Sequence, residues 1–162
     1  MLLSGGVGSL GVIETDRCIV FDKPPAEVWE AMTHTSAYTG WWPWLRSLDA
    51  AAGLATGEVW SCHVQPPLPY SLHFTIAIGE VVAERSVEAT IKGDITGTAR
   101  VDLSTGEGRT TVVHVVSDLA PAARALRTFA SVARPMVTWG HEWVIDKGIR
   151  QFRSTALGGS PA

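Results

Sequence analysis

The feature that most constrains the fold is a change of apolar period along the chain. Between Gly57 and Ser117 apolar residues recur at every second position, whereas from Met136 to Leu157 there is no proline and the apolar residues fall at helical spacing. The first stretch predicts half-buried strands. Trp60, Cys62 and Val64 alternate with Ser61 and His63, and Tyr70, Leu72, Phe74, Ile76 and Ile78 alternate with Ser71, His73, Thr75 and Ala77. Val87, Ala89 and Ile91 follow the same rule, as do Ala99, Val101 and Leu103, before a Gly-containing loop at Thr105 to Gly108 leads into Thr110 to Ser117. Short turns between consecutive strands imply an antiparallel meander. The second stretch predicts a long helix with Val137, His141, Val144, Ile145, Gly148 and Phe152 on one face and Asp146, Arg150 and Arg153 on the other. Its apolar face must lie on the sheet.

Ahead of the meander, Glu14 to Phe21 reads as a strand, and Pro24-Pro25 suits the first turn of a helix over Ala26 to His34. Ser36 opens a second helical stretch carrying Tyr38, Trp41, Trp42 and Trp44, kinked or ended by Pro43. Pro121 to Val132 is Ala-rich and helix-favouring. The expected organisation is a flexible leader at 1–13, one domain at 14–157 and a flexible tail at 158–162. At 17.3 kDa such a chain buries roughly 69% of its unfolded surface without disulfides or metal. Cys18 and Cys62 are expected as reduced thiols.

A net charge of −3 and a pI near 5.9 argue against nucleic acid as the main partner. Residues 1–13 lack the basic start of a signal peptide, and no later apolar run is long enough for a transmembrane helix. A cytoplasmic protein without membrane insertion is expected.

A strand, two short helices, an antiparallel meander and a long C-terminal helix make an α+β arrangement. It resembles the helix-grip architecture of the START-domain and pollen-allergen superfamily over about Glu14 to Leu157. At residue level the chain is similar to the branch known as SRPBCC or polyketide cyclase/dehydrase. The similarity runs through Pro25-Ala26-Glu27-Val28-Trp29, Trp41-Trp42-Pro43, Leu68-Pro69-Tyr70, Gly93-Asp94 with Gly97, and Arg134-Pro135 with Trp139 and His141. The resemblance implies a curved sheet wrapped around the last helix, and a cavity between them for an apolar or amphipathic small molecule. No cofactor is expected.

Several motifs carry bland readings. Gly6-Val7-Gly8-Ser9-Leu10-Gly11 matches a dinucleotide fingerprint, but only five residues precede it and a strand follows, so no phosphate-binding strand–helix turn can form. His141-Glu142 lacks the second histidine of a zinc-protease helix, because Ile145 stands four positions on. No metal site and no nucleophile motif are specified.

The candidate ligand-binding residues are Trp42, Trp60, Tyr70, Phe74, Ile76, Val101, His114, Val137, His141 and Val144. His141 is the most informative, since a buried imidazole among apolar neighbours must find a hydrogen-bond partner. It reads equally as a ligand contact or a core histidine, and as a weak catalytic candidate. His114 shares parity with Val112 and Val116, while Val113 and Val115 occupy the other parity, so its side is undecided. Arg100 lies opposite Val101 and Leu103 and is expected outside. Trp139 and Trp143 fall towards the polar side of the helix, where a covering segment or a homodimer contact would use them. Three functions follow: binding of an apolar, lipid-like or polyketide-like molecule; a cyclase or dehydratase using His141 as general acid or base; or a protein-interaction module with a filled core.

Overall fold

A computed structural model describes residues 12–67, 71–121 and 139–158. Seven antiparallel strands form one sheet: β1 (Ile13–Phe21), β2 (Leu45–Asp49), β3 (Val59–Val64), β4 (Leu72–Val82), β5 (Ser86–Gly93), β6 (Ile95–Thr105) and β7 (Thr111–Pro121). Their order is β1-β7-β6-β5-β4-β3-β2, so β3 to β7 form the expected meander and β1 adds to its far edge beside β7. The connection from β1 to β2 therefore crosses from one sheet edge to the other. It carries α1 (Pro25–Thr33), a 3-10 turn (Thr35–Ala37) and α2 (Tyr38–Trp41). The last helix, α3, is described over 139–151 and ends in a π-helical turn at Phe152–Ala156.

Local chemistry accounts for these boundaries. Pro25 occupies the first turn of α1, where its missing N–H costs nothing, and Val28 and Ala31 are the buried face. Pro43 ends the second helical stretch earlier than the tryptophans suggest. Trp42 is already extended, and Leu45 begins β2, an edge strand that the sequence pattern did not predict. A register shift between Leu45 and Ser47 breaks its alternation, which is why a period-two reading misses it. β7 continues to Pro121, four residues beyond the expected end at Ser117. β1 opens at Ile13, one residue inside the expected leader. The expected helix after Pro121, its restart at Pro135, the leader up to residue 11, the corner at 68–70 and residues 159–162 lie outside the described residues.

Glycine allows a close approach between β6 and β7. Gly97 has φ 152°, and a Cβ there would lie 1.8 Å from the Asp118 carbonyl oxygen, so only glycine lets the strands approach that closely. A second irregularity between Ile78 and Val81 bends β4 against β5. The inner face is set by register: Ile13, Thr15, Arg17, Ile19 and Phe21 of β1 stand opposite the odd-numbered residues of β7.

Two buried clusters lie under the helices. One contains Tyr38, Leu45, Trp60, Cys62, Val64, Ile78 and Val87, with Trp42, Trp44 and Val144 packed against it. The other is built from Phe21, Val28, Ala31, Leu103, Val113 and Phe152. Among the described residues, no helix is long and apolar enough to cross a membrane.

Candidate functional site: an apolar cavity beneath the last helix

A cavity of about 340 Å³ lies between α3 and the β3–β4 side of the sheet. Trp60, Cys62, Phe74 and Ile76 form its floor, Tyr38, Trp42 and Trp44 one wall, Ile13, Leu119 and Pro121 the other. His141, Val144 and Ile145 reach down from α3. Alternation on β3 and β4 places the floor residues on the inner face, as their spacing predicts.

The aromatic walls present hydrocarbon because their polar tips are bonded elsewhere. Trp42 Nε1 donates to the Gly148 carbonyl at 3.0 Å, Trp44 Nε1 to Gln151 Oε1 at 3.0 Å, and Trp60 Nε1 to the Gly53 carbonyl at 3.0 Å. The Tyr38 hydroxyl donates to the Met32 carbonyl, and burial raises its pKa. A buried ring N–H or O–H that found no partner would demand one from any ligand; here that demand is already met. Burial also pushes the Cys62 thiol up to about 11, so it stays protonated at neutral pH and offers no nucleophile.

His141 is the polar exception. Its Nε2 lies 2.8 Å from Thr15 Oγ1, joining α3 to β1 across 126 residues of sequence. Burial lowers its pKa, the Arg17 guanidinium lowers it further, and Glu142 opposes both. The neutral imidazole and the threonine hydroxyl can each donate or accept a hydrogen bond. Beside this pair, Arg17 reaches from β1 to both Glu142 and Asp146, which stand one turn apart on α3. Asp146 is the main cause of a raised Arg17 pKa, so the guanidinium stays charged. This clasp ties the polar flank of the helix to the sheet edge.

The structure brings together Trp42, Trp60, Phe74, Ile76, His141 and Val144 of the sequence-derived candidates. Tyr70 and Val137 lie outside the described residues. Two candidates stand elsewhere. Val101 faces inward but packs with the Phe21–Phe152 cluster rather than the cavity. His114 points outward, where its Nε2 is 2.6 Å from Asp16 Oδ1. Thr111, Val113, Ser117 and Pro121 are the buried residues of β7, which fixes the odd parity as inward and puts His114 on the other side. Arg100 is outside as expected, paired with Glu88 and Asp102. Gly148 does not open the hollow: a Cβ there would sit 3.4 Å from Trp44 Cζ2, so the glycine makes room for an indole. Trp139 is 51% exposed.

Tyr38, Cys62 and Trp44 belong to the cavity without having been selected. Cys62 shares its parity with Trp60, so alternation alone could have found it. Ile13 and Leu119 meet only because β1 pairs with β7, a contact that no local pattern encodes.

No family model and no curated protein matches the chain. Comparison with solved structures is decisive for the architecture. The protein TTHA0849 from Thermus thermophilus superimposes with a TM-score of 0.75 at 13% identity, over 92% of this chain and 100% of that one. A START superfamily protein from Mycobacterium smegmatis gives 0.69 at 12% identity, over 90% and 97%. The chain has the helix-grip fold. The Zhui aromatase/cyclase from Streptomyces sp. R1128 shares this helix grip at a TM-score of 0.68 and 14% identity, over 91% of this chain and 92% of that one. Identities this low establish the helix grip and leave the chemistry to this chain's own residues.

Proposed function

We propose that the protein binds an apolar or amphipathic small molecule, lipid-like or of the polyketide and aromatic kind, beneath α3. The observation that carries this reading is the 340 Å³ cavity, whose aromatic walls have their own polar groups bonded elsewhere and which keeps the imidazole of His141, bonded to Thr15, as its polar point. A volume near the lower end of ordinary ligand pockets suits a compact molecule with a ring system and one hydroxyl or carbonyl. Burying about 300 Å² of apolar ligand surface gains ~7 kcal/mol before the cost of association, which sets micromolar or weaker affinity as the expected range. The aromatase/cyclase and START neighbours are consistent with such a ligand.

Binding is favoured over proton-transfer catalysis because the partner of His141 is a threonine hydroxyl, a group that does not titrate near neutral pH. It is favoured over a filled interaction module by the volume of the cavity.

The test is a panel of neutral polycyclic aromatics, phenolic polyketides and single-chain lipids, followed by tryptophan fluorescence and thermal unfolding. A ligand at a hundred times its Kd adds ~2.7 kcal/mol, or about 5–10 °C in Tm for a chain of this length. His141→Leu is expected to weaken binding of hydroxylated ligands by about tenfold while shifting the unliganded Tm far less. No response across the panel, or full affinity in His141→Leu, overturns the reading.

A further inference from the structure

On the outer face of the sheet, behind the cavity floor, His63 of β3 stands directly opposite His73 of β4. Their rings stack with centroids 4.1 Å apart and planes 17° from parallel. His63 Nε2 is buried without any hydrogen-bond partner, and it is the sole such side-chain atom among the described residues. A ring nitrogen shut away from water and left unpaired is destabilising, so its persistence requires a reason. We propose that His63 and His73 form a two-imidazole site for a divalent transition-metal ion, with Cu(II) the preferred occupant.

The placement suits ligation. Residues directly opposite on antiparallel strands have Cβ atoms about 4.5–5.5 Å apart, which keeps both imidazoles on one side of the sheet. Two metal–nitrogen bonds of ~2.0–2.1 Å meeting at a tetrahedral or square-planar angle need nitrogens about 3 Å apart. In the stack the ring planes are 17° apart and their in-plane lone pairs run side by side, so ligation requires the rings to turn out of the stack about χ1 and χ2, which also uncovers His63 Nε2.

The backbone beneath His73 is also fixed. Asp94 Oδ2 accepts the His73 main-chain N–H at 2.8 Å, and the Asp94 N–H returns to the His73 carbonyl at 2.9 Å. Gly93, at φ 136°, makes this bend possible, since a Cβ there would lie 2.7 Å from the His73 carbonyl oxygen. The Gly93-Asp94 pair thus fixes the main chain that carries one imidazole.

The donor set selects the metal. Among the described residues no third His, Cys, Asp or Glu joins the pair, so water completes the coordination. Two neutral nitrogen donors favour Cu(II), Ni(II) and Zn(II) over Mg(II), Ca(II) and Mn(II), and the order of affinities places Cu(II) first.

The experiment titrates CuSO4, NiCl2 and ZnCl2 into the full chain carrying Cys18→Ser, which removes the exposed thiol that Cu(II) would oxidise. Calorimetry reads stoichiometry and affinity, electron paramagnetic resonance reads the nitrogen ligands of Cu(II), and circular dichroism verifies the fold of each variant. One Cu(II) per chain is expected, with coupling to two imidazole nitrogens and tighter binding than Zn(II). His63→Gln and His73→Gln should each weaken it by about tenfold or more, and His114→Gln should leave it unchanged. His73 is solvent-exposed, so its variant reports on ligation even if His63→Gln unfolds. Equal copper binding in the parent and a folded His73→Gln, loss that follows His114→Gln instead, or coupling to one nitrogen only, overturns the proposal.

Discussion

The two ends of α3 meet the sheet in different ways. At its C-terminal end Phe152 is inserted among Phe21, Trp41 and Trp42, with ring centroids 5.5, 5.9 and 6.4 Å away, and the space is full. Towards its N-terminal end His141 and Val144 look down on a hollow walled by the same kind of residue. Aromatic content therefore does not decide whether a region is core or cavity. What differs is the size of the side chain that the helix presents to the sheet. Trp42 and Trp44 reach up to Gly148 and Gln151 and hold the helix at a fixed height, and Phe152 fills that height while the shorter Val144 does not. One end is packed solid and the other leaves a hollow.

The comparison breaks most sharply at Phe152. Phe152→Ala should cost ~3–5 kcal/mol in urea unfolding, because Trp42 is tied to the Gly148 carbonyl and the rings around the site cannot fully collapse into the space. A result below about 1 kcal/mol would mean that the packed end is not packed. At the hollow end, enlarging a side chain is the informative change. Val144→Phe should alter stability by less than about 1 kcal/mol, against the ~1–3 kcal/mol that overpacking costs in a filled core, and should abolish the thermal shift produced by any ligand. The smallest effect is pH-dependent. Burial holds the His141 pKa below its ordinary 6.5, so the unfolded chain binds more protons as pH falls past that value. His141's contribution to stability is fully present above pH 6.5 and declines as pH drops through the window down to the folded-state pKa. His141→Gln should flatten that part of the curve, measured as urea midpoints between pH 5 and 7.5.

Much of the fold was legible because its signals are local. The alternation of Phe74, Ile76 and Ile78 and the stripe of His141, Val144 and Phe152 each fix a face without reference to the rest of the chain. β2 was not legible, since five residues with a register shift leave no period to detect. His114 was ambiguous for a physical reason: β7 carries valine on both parities, and its orientation is settled by the pairing with β1 nearly a hundred residues away. The hollow itself has no sequence signature. Trp42 and Trp60 would appear in either a packed or an open interior, and only the heights at which their indole bonds fix the elements separate the two.

The pairing of β1 with β7 also bears on how the molecule comes into being. Ile13 must await Leu119 as its neighbour, so during synthesis the first strand emerges long before its only sheet partner exists. Such a far-separated closure places folding in the slow class dominated by loop entropy, and leaves an unpaired N-terminal strand exposed to other nascent chains. A ribosome-bound intermediate ending before residue 111 should therefore engage holding chaperones, and release from them should coincide with the arrival of the seventh strand.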